Sequence, residues 1–187
     1  MELQTYDLLM RLRPPLPRDD KIVVVGIDEA DVAQLKTAIP SDEHLAQLIN
    51  QINAMGPVAI GLDLYRDQPV PPGEEALTAV FAQTPNLIGI RKVEGEIGID
   101  VVEPPPALAE RGQVGANDLP VDTDKVIRRG LLYLSNGPET FYSFGFYLAL
   151  IYLDKLGIEV QDLPSNPAFR LGQGYFRPLD SNEGSYI

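Results

Sequence analysis

The sequence predicts an α/β fold: a mainly parallel central sheet with helices on both faces, preceded by an N-terminal helix. Three observations predict it. Continuous apolar runs such as Ile22-Val23-Val24-Val25-Gly26-Ile27 and Val58 to Leu62 fit strands covered on both sides. Stretches with helical apolar spacing lie between such runs, as at Leu45, Leu48, Ile49, Ile52 and Met55. The length of 187 residues, with 44% apolar and 22% charged residues, suits one ordinary globular domain. Strand–helix–strand order implies right-handed crossovers.

The elements follow in order. Glu2 to Leu12 reads as a helix that stops at Pro14-Pro15. Its apolar residues, Leu3, Tyr6, Leu8, Leu9, Met10 and Leu12, go around most of the helix, so it is expected to pack on more than one side. Pro14 to Asp20 is a stiff linker, and one α/β domain is expected to run from residue 21 to 187. Ile22 to Ile27 is the first buried strand. Ser41 caps the next helix, with Asp42 and Glu43 at its positive end. Gly56-Pro57 ends it, and Val58 to Leu62 is the second strand. After the loop Pro69 to Gly73, a helix presents Leu77, Val80 and Phe81 and ends at Pro85. Asn86 to Ile90 is the third strand.

Residues 91 to 103 alternate weakly, as in a hairpin turning near Gly95. Pro104-Pro105-Pro106 leads into a short helix ending near Gly112, then a short strand at Val114 to Ala116. The turn Asp122-Thr123-Asp124 precedes a longer strand, Val126 to Leu134, assigned to the central sheet. Phe141 to Leu153 is the last helix, with Phe141, Phe144, Leu148 and Tyr152 on one stripe. Phe169 to Leu171 and Tyr175 to Arg177 are expected to pair around Gly172-Gln173-Gly174.

Charge and composition exclude several functions. There are 27 Asp plus Glu against 15 Lys plus Arg, a net charge of −12, which repels phosphate backbones and rules out a nucleic-acid partner. An anionic membrane surface is disfavoured likewise. With no Cys there is no disulfide, thiolate-held metal or thiol nucleophile, and the single His44 cannot form a multi-His site. No cofactor and no metal are expected. No elbow of the Gly-x-Ser-x-Gly kind and no phosphate-cradling glycine loop occurs. Met1-Glu2-Leu3-Gln4 lacks the start of a signal peptide. The Phe141–Leu153 stretch falls short of the roughly 20 apolar residues of a membrane span, so the chain as given reads as soluble.

In parallel sheets ligands bind beyond the carboxyl ends of the strands. There stand Asp28 and Glu29, Asp63, Arg91 and Lys92, and Asn117 and Asp118. Converging carboxylates could hold a hard cation or a cationic ligand group; alternatively they cap helices and fill turns. Asp28 and Asp63 are expected to be neighbours at one sheet end. Asp122-Thr123-Asp124 lacks the rest of a calcium loop and reads as a tight turn. Arg128 and Arg129, adjacent in a strand, are expected on opposite faces, one of them available to an anion. The candidate ligand contacts are therefore Asp28, Asp63, Asn117, Arg128 and Arg129.

The ordered set Tyr6-Asp7 to Arg11-Leu12-Arg13-Pro14-Pro15, then Ile22-Val23-Val24-Val25-Gly26-Ile27-Asp28-Glu29, resembles the opening of the CHASE type-two sensor domain. The resemblance continues at Gly56-Pro57-Val58-Ala59-Ile60-Gly61-Leu62-Asp63 and at Asn117-Asp118-Leu119-Pro120-Val121-Asp122-Thr123-Asp124-Lys125-Val126-Ile127-Arg128-Arg129, and then at Ser143-Phe144. It implies an extracytoplasmic (periplasmic), non-catalytic sensory module of a bacterial transmembrane receptor, answering a small-molecule signal. The parent would add membrane helices and an output unit: a Ser/Thr or histidine kinase, a nucleotide cyclase or a cyclic-dinucleotide enzyme. Two places depart from the family pattern, Ala38-Ile39-Pro40-Ser41-Asp42 and Lys125, which stands where Gly is usual. The family's last segment, leading back to the membrane, is expected to be missing. Two other functions remain open from the residues: a metal-dependent hydrolase or phosphotransfer domain using Asp28 and Asp63, and an architectural domain. One face of Glu2–Leu12 is expected to pack on the domain and the other to meet either the same helix of a second copy, in a homodimer, or the missing C-terminal segment.

Overall fold

The computed structural model describes residues 2–93, 101–136, 138–162, 168–177 and 185–186. The chain forms two compact units, Met1–Ala38 and Ile39–Ile187.

The first unit holds α1 (Glu2–Leu12) and α2 (Glu29–Leu35). Helix α1 has the expected bounds, and Tyr6 and Asp7 are its half-buried residues. The Ile22–Ile27 run is a correction to the sequence reading: it belongs to no strand, and Val23 and Val24 are 82% and 86% exposed. A β-branched run prefers a pleated, covered surface, and that preference is expressed only against a neighbour. Helix α2 was not expected. Asp28 nucleates it as a capping box, accepting from Ala30 N at 2.8 Å and Asp31 N at 3.1 Å while its own N–H donates to Asp31 Oδ2 at 3.0 Å.

The second unit is built on a three-stranded parallel sheet of β1 (Ile60–Gly61), β2 (Leu87–Arg91) and β3 (Val114–Ala116), in the order β1-β2-β3. Spatial order follows chain order, so right-handed crossovers put α4 (Glu74–Gln83) and α5 (Pro106–Ala109) on one face. Helix α3 (Asp42–Ala54) packs beside α4. Leu45 and Ile49 of α3, Leu77 and Phe81 of α4, Ile60 and Leu87 of the sheet and Leu108 of α5 form one apolar cluster. Ser41 caps α3 as expected, and Gly73 lets the next loop lie on it. Gly73 has φ +110°, and a Cβ there would meet the backbone of Glu43.

The other face carries α6 (Phe144–Lys155). Its approach depends on glycine: a Cβ on Gly61 would fall 2.7 Å from both Leu148 Cδ1 and Phe144 Cζ, and one on Gly115 2.6 Å from Phe144 Cα. Helices thus cover both faces of this small sheet, as the sequence predicts.

The Val126–Leu134 strand is the second correction. It does not join the parallel sheet, where Val114–Ala116 is the third strand instead. It breaks into β4 (Gly130–Leu131) and β5 (Tyr133–Asn136). Strand β5 pairs antiparallel with β6 (Glu139–Tyr142), and β4 with β10 (Ser185–Tyr186). The short return from Asn136 to Glu139 permits nothing else, because a parallel partner needs a crossover of about a dozen residues. Strand β6 also claims Phe141 and Tyr142 from the expected helix, which starts after Ser143. Strands β7 (Val160–Asp162), β8 (Phe169–Leu171) and β9 (Gly174–Phe176) make an antiparallel sheet, with the predicted hairpin at Gly172. The base of the 91–103 hairpin is present as a Lys92–Val102 pairing, and Gly95 lies outside the described residues.

Candidate functional site

The carboxyl ends of the three parallel strands are tied together by side chains. Asn117 follows β3; its backbone N–H donates to Arg91 O at 2.9 Å, and its side-chain amide donates to Asp63 Oδ1 at 3.0 Å. Asp63 follows β1, so this bond spans the end of β2 between them. Asp118 is buried; its carboxylate accepts from Val93 N at 2.9 Å and lies 3.6 Å from Lys92 Nζ. Arg91 reaches Glu103 at 3.1 Å, and its guanidinium sits 4.6 Å over the Phe141 ring. The strand-end rule therefore brings together Asp63, Arg91, Lys92, Asn117 and Asp118.

The remaining candidates serve other roles. Asp28 belongs to the first unit and caps α2. Arg128 and Arg129 are not in a strand, so the two-face expectation fails: both guanidiniums reach Asp122, at 2.9 and 3.1 Å. Arg128 also holds Asp124 at 2.7 Å. The 122–124 segment is the tight turn foreseen, with Lys125 N donating to Asp122 O and Lys125 itself at φ +64°. The hydrogen bond from Arg128 is the main cause holding the Asp124 carboxyl below its usual range.

Two further polar groupings escaped the sequence reading. Arg66, buried in the loop after β1, donates to Pro40 O and lies 3.8 Å from Asp42, whose carboxylate also accepts from Val70 N at 3.0 Å. Burial lowers the Arg66 pKa from its ordinary value, and the Asp42 charge opposes that. Asp42 was legible only as a first-turn acid. Tyr147 donates its hydroxyl to Gly112 O at 2.8 Å, and burial raises its pKa. Ser41 Oγ and His44 Nδ1 are 2.8 Å apart, and the same oxygen takes His44 N, so the pair serves the start of α3. Among the described residues no group of three or more His, Asp or Glu is placed to hold a metal ion.

Beside the strand ends lies a cavity of about 410 Å³. Asn117 and Asp118, just past β3, and the first turn of α6 line it. Its walls are apolar, with Leu131, Leu132, Phe146, Leu171 and Phe176 among them. An aromatic stack supports this wall: Phe146 and Phe169 centroids are 5.6 Å apart, and Phe169 and Phe176 5.4 Å. Of the residues selected from sequence as ligand contacts, Asn117 lines the cavity. The α6 contribution had one visible signal, Ser143 as a helix cap. The wall from β8 and β9 had none, because those residues are distant in sequence.

Among the described residues no helix is long and apolar enough to cross a membrane. Neither a curated protein nor a solved structure matches the chain significantly. The family model of the CHASE2 domain matches residues 1–185.

Proposed function

Because this chain belongs to the CHASE2 family, whose members are extracellular sensory domains of receptors, we propose that it is the extracytoplasmic, ligand-sensing part of a bacterial transmembrane receptor. The family match over residues 1–185 carries this reading. The chain itself performs no chemistry in this proposal; a kinase, a nucleotide cyclase or a cyclic-dinucleotide enzyme in the parent protein supplies the output. The arrangement of polar groups supports the division of labour. Asp118 pairs with Lys92, and Arg128 and Arg129 hold the Asp122 turn, whereas Asp63 and Asn117 stand at the sheet end as candidate ligand contacts. The first unit supports attachment to a partner or membrane segment. Leu8, Leu9, Met10 and Leu12 of α1 are all exposed, and we assign that surface to a second copy of α1 in a receptor dimer.

The location is tested in the parent protein with alkaline phosphatase, which is active only outside the cytoplasm, fused after Ile187. An active fusion is expected. An inactive phosphatase, with a cytoplasmic reporter active at the same junction, overturns the reading. Leu9→Glu with Leu12→Glu is expected to uncouple output from signal while the chain stays folded; unchanged output and self-association would leave α1 a tether only.

A further inference from the structure

We propose that the cavity at the start of α6 is the sensory site, and that it takes a compact, uncharged, mainly apolar molecule carrying one hydrogen-bond acceptor. This rests on the sensory reading above and adds the chemical class of the signal. Four observations point to that class.

The first is size and wall chemistry. A cavity of about 410 Å³ lies within the range that small-molecule sites occupy. Its Leu and Phe walls reward apolar surface and offer little to a polar body. The second is charge. Among the described residues the lining holds one ionisable side chain, Asp118, and Lys92 and the Val93 N–H already serve it. Among the described residues no Lys, Arg or His lines the cavity, so a carboxylate or phosphate would meet no counter-charge from them. A cation would compete with Lys92 for an occupied carboxylate. An apolar wall gives a charge nothing to pair with, which favours neutral ligands.

The third concerns the polar end. Ser143 caps α6, taking the Phe146 N–H at 3.3 Å, and Gly145 lines the cavity in the first helical turn. First-turn N–H groups have no acceptor within their own helix. A ligand carbonyl or hydroxyl oxygen placed there gains a donor and faces the positive helix end. The fourth is access. A Cβ built on Gly145 meets no atom within 4 Å, so the helix leaves open space at this position.

The position also suits a sensor. The cavity is walled by the end of β3, by β4, by α6 and by the β8–β9 hairpin, elements separated along the chain. A molecule seated there bears on all of them at once and biases their packing.

The test uses three probes of one shape: benzyl alcohol, benzoate and benzylamine, titrated into the full chain with methyl-labelled Leu and Ala and followed by NMR. Benzyl alcohol is expected to shift the methyls of Ala116, Leu132, Ala149 and Leu171, with the two charged probes at least tenfold weaker. Ala149→Phe and Gly145→Leu both fill the cavity, from exposed helix positions that leave the core intact. Each is expected to reduce benzyl alcohol affinity at least tenfold while the melting temperature stays within a few degrees. Tightest binding by benzoate or benzylamine overturns the ligand class. Shifts confined to other methyls, or unchanged affinity in both filled variants, overturn the site. Neither result touches the sensory reading, which stands or falls on the phosphatase fusion and the output of the parent protein.

Discussion

Two apolar runs of similar composition meet opposite fates in this molecule. Val23 and Val24 of the Ile22–Ile27 run are 82% and 86% exposed, whereas Leu87 and Ile88 of β2 are 0% and 1% exposed. The second run is flanked by β1 and β3, and α6 and the α4–α5 layer cover its faces. The first sits in the Met1–Ala38 unit, which has two short helices and no strand among its described residues. Apolar, β-branched sequence supplies the tendency to be covered; the neighbours that satisfy it come from tertiary structure. The same contrast divides the helices. Helix α2 has a full capping box yet no buried residue, while α3 and α4 have three or more buried residues each. Caps start helices, and packing accounts for most of their stability.

The largest effects should separate the two runs. Leu87→Ala is expected to cost about 2–5 kcal/mol in urea unfolding, the usual range for a fully buried leucine. Val24→Ser should stay within about 0.5 kcal/mol, as at other exposed sites. A cost well above that for Val24→Ser would break the comparison and show the run covered in solution.

Next come the two caps. Ser143→Ala removes the acceptor for Phe146 N from a helix packed on the sheet, and should lower global stability by about 1 kcal/mol. Asp28→Ala should erase the helical chemical shifts of residues 29–35 and leave the main unfolding transition where it is. Equal losses from both would mean that the two units unfold as one.

The smallest effect is a pH dependence. The Asp124 carboxyl is held below the ordinary 3.8, chiefly by its hydrogen bond from Arg128. A depressed folded-state value favours the folded state above the unfolded pKa, and that advantage fades as pH falls through the folded value. Asp124→Asn should therefore be less stable than the native chain at pH 6, with the gap closing below about pH 4. Asp19, in the first unit, is lowered too, first by the Lys21 backbone N–H. Its titration should appear in NMR shifts without moving the core transition. A gap for Asp124→Asn that persists unchanged to pH 2 would mean that the turn does not depend on that ion pair.

Much of the second unit was legible in its residues. Ser41 and Gly56 marked the ends of α3, Leu77, Val80 and Phe81 marked the buried face of α4, and Gly172 marked the last hairpin. The strand-end rule led to Asp63 and Asn117, which hydrogen-bond each other across β2. It also led to Asp28, and there it failed, since the rule presupposes a strand before that residue. Val126–Leu134 failed for a related reason: hydrophobic run length says that a segment is strand-like but not whether its partner runs parallel. The cavity was beyond reach, because its walls come from β3, β4, α6 and the β8–β9 hairpin, and no local pattern records which distant side chains share a space.

By itself, then, the sequence determined what is local or summed over the chain. It set the acidic charge, the absence of thiols, the caps, the breaks at proline and glycine, and the ordered motifs of the family. Tertiary structure alone decided which apolar run is covered, which guanidinium meets which carboxylate, and where space is left for a ligand. Capping and turn formation act between residues a few positions apart, so their signals survive in one dimension. Burial and cavity formation depend on the relative placement of elements tens of residues apart, and only the folded chain specifies that.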